Sequence, residues 1–258
     1  MMRHSPSGVD FDTLELDPPA SGGGWTRTVH AVMTFLAPLF ELLRRRIPDR
    51  SPLGLARTYP TTILVLSTII LCDVVTWGQD ADVYQVSVLN RLGLDWDLLT
   101  QGQVWRVVTS TFVQTVPGIH FSMIVVLLTS YLLAETFAGS IPTLGVIFLS
   151  DWISSLSGMV IVRIIAATGS TEAMGLLHIP DAGSSATGHG AYALAATTLL
   201  PRKLAIGLFG LLLAVTAVLW FEQHIDASIA HTISSLFGGA VGWFIVRPRL
   251  YPEEYGRA

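Results

Sequence analysis

The stretch DAGSSATGHGAYALA, residues 181–195, opens an apolar run with a glycine, two serines, a threonine, a histidine and two more glycines set among alanines. Such a run is a poor lipid-facing surface. It suits a central helix, because small side chains let neighbouring helices approach closely. The question is therefore what surrounds it, and why its entry is so polar.

The surroundings are apolar throughout. The 258-residue chain is 51% hydrophobic and 13% charged, with a mean hydropathy of +0.56. Soluble domains carry about 25% charged residues, so this composition belongs to the membrane class. A net charge of −4 lacks the basic footprint of a nucleic-acid binder, and no nucleic-acid partner is expected. The single cysteine, Cys72, cannot form an intrachain disulfide and reads as a small packed hydrophobe.

A membrane-crossing helix needs about 20 mostly apolar residues. Six stretches qualify as candidates: 60–77, 119–137, 143–166, 184–200, 204–221 and 227–246. The expected fold class is an all-α membrane protein, a six-transmembrane-helix bundle whose short fourth helix is central. Residues 1–24, polar and rich in Pro, Gly and Ser, read as a disordered tail rather than a secretory signal. Residues 25–59 read as a cytoplasmic or interfacial amphipathic helix and linker, the helix lying over 25–47 and ending in Arg44, Arg45 and Arg46. The membrane domain spans 60–246, and 247–258 reads as a cytoplasmic C-terminal tail.

Basic residues set the orientation. Arg44–Arg46, Arg50 and Arg57 precede span one, Arg202 and Lys203 separate spans four and five, and Arg247, Arg249 and Arg257 follow span six. Six spans put all of them on one side, so both termini are expected in the cytoplasm and residues 181–185 at the outer face. The loop over about 78–118 is long for a hairpin turn and is expected to form short helices in the outer interface.

Ser185 then sits in the first turn of span four. A serine there ordinarily caps the helix. His231 lies about one turn into span six at similar depth, where an ionisable side chain is costly and raises a functional-site hypothesis. The spacing His231-x-x-Ser234-x-x-x-Gly238-x-x-x-Gly242 lays a ridge of small residues along one face of span six. Ser184, Gly188, Ala191 and Ala195 form the expected matching stripe on span four. Packing the two would bring the Ser185 hydroxyl to His231, a nucleophile–base arrangement. The Ser185 amide at the positive helix end would face a developing oxyanion.

These residues resemble the motifs of the rhomboid intramembrane serine protease superfamily. GQVWRVVTSTF (residues 102–112) is similar to the family's Gly-x-x-Trp-Arg entry to span two, with Trp105 and Arg106 as the pair. Gly183-Ser184-Ser185-Ala186 resembles Gly-x-Ser-Gly, with Gly190 at the later small position. His231-x-x-Ser234-x-x-x-Gly238 resembles His-x-x-Gly-x-x-x-Gly. The resemblance covers about residues 60–246. It implies Ser185 as nucleophile, His231 as base, and His189 stacked on the base. It also implies His120 and Gln114 as oxyanion or auxiliary groups, with Gly183 in the motif. Ala186 and Ser234 replace motif glycines, and Ile124 stands where the family places an Asn four residues after the span-two His.

The function so implied is cleavage of transmembrane protein substrates near the outer face of a bacterial plasma membrane. It needs no cofactor and no metal, and its partners are those substrates and the bilayer. A second reading is a catalytically silent rhomboid-like protein that holds transmembrane clients. A transporter would predict inverted repeats and broken midplane helices, and the sequence has no convincing repeat. Asp151, inside span three, is expected to pair with His189 or another interior polar group. Glu135 and Thr136 are expected in a cap or inner-face pair. Asp73 is expected to reach the interface, and His178 and His224 to be solvated.

Overall fold

The computed structural model describes residues 51–118, 121–177, 179–199, 202–219 and 225–255. The expectations for 1–24, for the helix at 25–47 and for His120, His178 and His224 fall outside those residues. Among the described residues the regular structure is helical, with one isolated antiparallel bridge between Leu94 and Asp181.

Helices occupy all six stretches that the sequence marks. They are α1 (Pro60–Val75), α2 (Phe121–Ala138), α3 (Ser140–Ala167), α4 (Ser185–Leu199), α5 (Arg202–Leu219) and α6 (Ile225–Leu250). Three of them, α2, α3 and α6, are long and apolar enough to cross a membrane, and α1 is apolar but shorter. A π turn at Gly242–Val246 interrupts α6 without ending it.

The distribution of side chains inverts that of a soluble protein. Leu64, Leu71, Leu204, Leu211 and Phe244 are exposed, while Ser130, Thr143, Ser150, Ser154, Ser234 and Ser235 are fully buried. Apolar residues that water would drive inward face outward, as they do against lipid. Inside, small hydroxyl residues sit where helix backbones meet, beside an apolar core that includes Leu127, Ile147 and Leu194.

At the centre lies α4, packed against α2, α3, α5 and α6. Eleven of its 15 residues are buried, which no peripheral helix could sustain. Its closest partner is α6. A Cβ on Gly238 would collide with the Gly190 backbone, and one on Gly242 with the Thr197 side chain. The expected ridge of α6 is therefore in place, but the matching face of α4 is Ala186, Gly190, Leu194 and Thr197. The Ser184–Gly188–Ala191–Ala195 stripe was the wrong one. Gly188 faces Leu127 and Ser130 of α2 instead.

Polar side chains tie the helix ends. Neither Pro60 nor Tyr59 caps the start of α1 through a side chain. Glu135 of α2 does so from outside, accepting from the amides of Thr61 (3.0 Å) and Thr62 (2.8 Å) and from the Thr62 hydroxyl. The expected structural cap is thus formed by Glu135, while Thr136 bonds the Leu132 carbonyl one turn back and reaches across to the Tyr59 hydroxyl (3.3 Å) ahead of α1. At the other end of α4, Arg247 donates to the Thr197 carbonyl (2.9 Å) and Tyr251 to the Thr198 carbonyl (3.2 Å). Arg247 is fully buried and is also paired in bidentate fashion with Glu254. The segment read as a tail is therefore folded through Tyr255 and closes the C-terminus of α4. Asp73 is likewise buried, rather than reaching an interface.

Candidate active site

The residues before α2 form short helical turns, including Ala81–Tyr84, Trp96–Thr100 and Arg106–Thr109. Arg106 holds them together. It is buried, and it donates to the Gly93 carbonyl (2.6 Å), the Asn90 carbonyl (2.8 Å) and Gln103 Oε1 (2.8 Å). Trp105, beside it, is exposed, so the Trp–Arg pair divides into an inward anchor and an outward ring.

This scaffold grips the chain just ahead of α4. Leu94 and Asp181 exchange backbone hydrogen bonds of 2.7 and 2.8 Å, and the Gly183 amide donates to the Ser110 carbonyl at 3.2 Å. Gly183 has φ +120, a conformation that side-chain-bearing residues rarely adopt. That turn delivers Ser184, then Ser185, into the helix. Gln114 Nε2 donates to the buried Ser184 hydroxyl (3.1 Å), and the Tyr84 hydroxyl fixes the Gln114 carbonyl (2.7 Å). From α2, the fully buried Tyr131 hydroxyl meets Thr187 Oγ1, which also bonds the Ser184 carbonyl.

The result is a held helix start with Ser185 at its first position. Ser185 Oγ lies 2.9 Å from His231 Nε2. His231 is buried, and its ring stacks on His189 with centroids 4.1 Å apart and planes 9° from parallel. Ser234, one turn along α6, donates to the Ala186 carbonyl and sets the register between the two helices. Chemically, this is a hydroxyl in hydrogen-bond contact with an imidazole nitrogen, at the positive end of a helix dipole. A hydroxyl so placed can transfer its proton as it attacks a carbonyl.

Six sequence-picked residues converge on this point: Ser185, His231, His189, Gln114, Gly183 and Ser234. Gly190 and Gly238 form the close contact below it. His120 lies outside the described residues. Ile124 packs against the apolar core and offers no donor. Asp151 bonds to the Thr111 hydroxyl rather than to His189, whose Nδ1 is buried without a partner among the described residues.

Sequence reasoning missed Tyr84, Thr187 and Tyr131, and placed Ser184 on a packing stripe rather than against Gln114. Each is an ordinary residue whose role appears only when the loop folds over the helix start. It also missed a cleft lined by Asp95, Ser155, Asp181, Asp226 and Ala230 among others. Burial there pushes the Asp181 carboxyl above its ordinary range, and the charge of Asp226 adds to the effect. No family model, no curated protein and no solved structure matches this chain.

Proposed function

We propose that this chain is a six-span, rhomboid-like serine protease of a bacterial plasma membrane, with both termini cytoplasmic, that cleaves transmembrane protein substrates near the outer face. The observation that carries this reading is the 2.9 Å contact between Ser185 Oγ and His231 Nε2 at the N-terminus of a buried helix. A buried histidine and a serine meeting by chance would have no reason to lie at the one end of α4 that favours negative charge.

The chemistry follows from the contact. With its proton on Nδ1, His231 accepts the Ser185 proton at Nε2 as Oγ attacks a peptide carbonyl. Negative charge moves to the carbonyl oxygen, where the first-turn amides of α4, those of Ser185, Ala186 and Thr187, are the backbone donors and His120 is the side chain the resemblance implies. His231 then returns the proton to the departing amine. Water, activated by the same imidazole, releases the acyl group and restores the serine. Exposed Val83, Val86, Val104 and Trp105 support an outer loop that rests in the interface, with the pair just beneath it.

The second reading keeps the fold and removes turnover. Ile124 favours it, since one missing oxyanion donor costs a factor of about 10²–10³. The two readings separate when the protein is reconstituted in liposomes with single-span substrates. The protease reading predicts cleavage by the wild type and none by Ser185→Ala or His231→Ala. Capture of the same substrates by all three proteins, with no product from any, would establish the client-binding reading instead.

A further inference from the structure

A serine that immediately precedes a helix ordinarily turns its hydroxyl back onto the second or third amide of that helix, satisfying one of four orphan donors. Elsewhere in this chain such caps do just that. Ser51 accepts from Gly54, Asp80 from Asp82, Asp95 from Leu98 and Ser170 from Ala173. Ser184 stands in the same position before α4, and the amides it would cap are those of Ala186 and Thr187. Its hydroxyl instead accepts from Gln114 Nε2, and among the described residues it bonds neither amide. Ser184 is fully buried and Gln114 nearly so, so water has not displaced the cap. The Gln114 backbone is itself fixed by Tyr84, and the φ of Gly183 leads the chain into this geometry.

From this we infer that Gln114 is a positioning residue that withholds the natural cap of α4. By holding the Ser184 hydroxyl away from the helix, it keeps the first-turn amides open to the oxyanion formed when Ser185 attacks. The inference rests on the protease reading. It assigns Gln114 a role through Ser184, because the hydrogen bond that its Nε2 donates among the described residues goes to the Ser184 hydroxyl. It also explains why a good capping residue precedes an uncapped helix: the helix end is reserved for charge that appears only in the transition state.

The proposal predicts a loss of rate that a second substitution reverses. In Gln114→Ala the Ser184 hydroxyl is released and caps the helix, so the amides are occupied before substrate arrives. The full-length protein in detergent would be reacted with a fluorophosphonate, and the second-order rate of Ser185 phosphonylation, with loss of fluoride, measured beside thermal stability as a check of folding. Gln114→Ala should slow phosphonylation about ten-fold, less than loss of a whole oxyanion donor. Adding Ser184→Ala removes the competing cap and should return the rate to within about three-fold of wild type, a reversal that independent sites would not give. Gln114→Met, close in volume and without a donor, serves if the alanine variant does not fold. An unchanged rate in the Gln114 variants, or a double variant no faster than the single, overturns the inference. An unreactive wild type overturns the protease reading itself, which the Gln114 comparison does not touch.

Discussion

At the residue scale, the account turns on which atoms small side chains allow to meet. His231 reaches Ser185 because Gly238 lets α6 come down on the Gly190 backbone. Gly238→Ala would place a methyl into main-chain atoms that cannot rotate away. Overpacking of this kind costs about 1–3 kcal/mol even where side chains yield, so a loss at the upper end of that range is expected, together with loss of Ser185 reactivity. Gly207 on α5 has open space around its missing Cβ. Gly207→Ala should be neutral or stabilise by up to about 1 kcal/mol. Thermal unfolding in detergent checks both, and equal effects from the two would contradict the packing described here.

The same residues show how far the sequence could be read. The ridge on α6 was legible because His231, Ser234, Gly238 and Gly242 repeat at helical spacing. The face of α4 was not, because almost every residue of α4 is small. Gly188 and Gly190 are equally good candidates by spacing, and only the presence of α2 on one side and α6 on the other tells them apart. Gln114 was legible as a polar residue near the site, but its partner Ser184 was hidden by the more conspicuous Ser185.

At the scale of elements, helix ends decide the architecture. Deep in the bundle, orphan amides and carbonyls have no water to meet, so other helices supply their partners. Glu135 closes the start of α1, and Arg247 with Tyr251 closes the end of α4. Glu135→Ala removes the acceptor for two amides and a hydroxyl. It should lower stability by about 2 kcal/mol, with Glu135→Gln recovering part of that. Arg247→Met leaves the Thr197 carbonyl and Glu254 without their partner and should cost about 3 kcal/mol, near the lower end for broken buried pairs. Both are read by unfolding midpoints, and a midpoint within error of wild type for either would show the cap to be dispensable. The role of Glu135 was foreseen because a carboxylate inside an apolar helix demands a partner. The capping role of Arg247 was not legible, because an arginine just past a span reads as a topology signal and need be nothing more. Nothing in the residue string reveals that Glu254 and Tyr251 fold back to meet it.

At the scale of the whole molecule, the buried small hydroxyl residues and the apolar exterior fit a bundle solvated by lipid. The proposed topology puts Asp82 outside and Lys203 inside. With Cys72 replaced by Ser, single cysteines at Asp82→Cys and Lys203→Cys should differ in intact cells. A membrane-impermeant maleimide should label the first and reach the second only after lysis, and the reverse pattern would invert the topology and place the Ser185–His231 pair at the cytoplasmic face.

The most direct measurement of the central claim is to locate the adduct. Purified wild type, Ser185→Ala and His231→Ala would be treated with a fluorophosphonate and digested, and the modified residue found by mass spectrometry. The account predicts one adduct, on Ser185, in wild type alone. Wild type that stays unmodified while a serine hydrolase labelled in parallel reacts, or an adduct on any other residue, would contradict it.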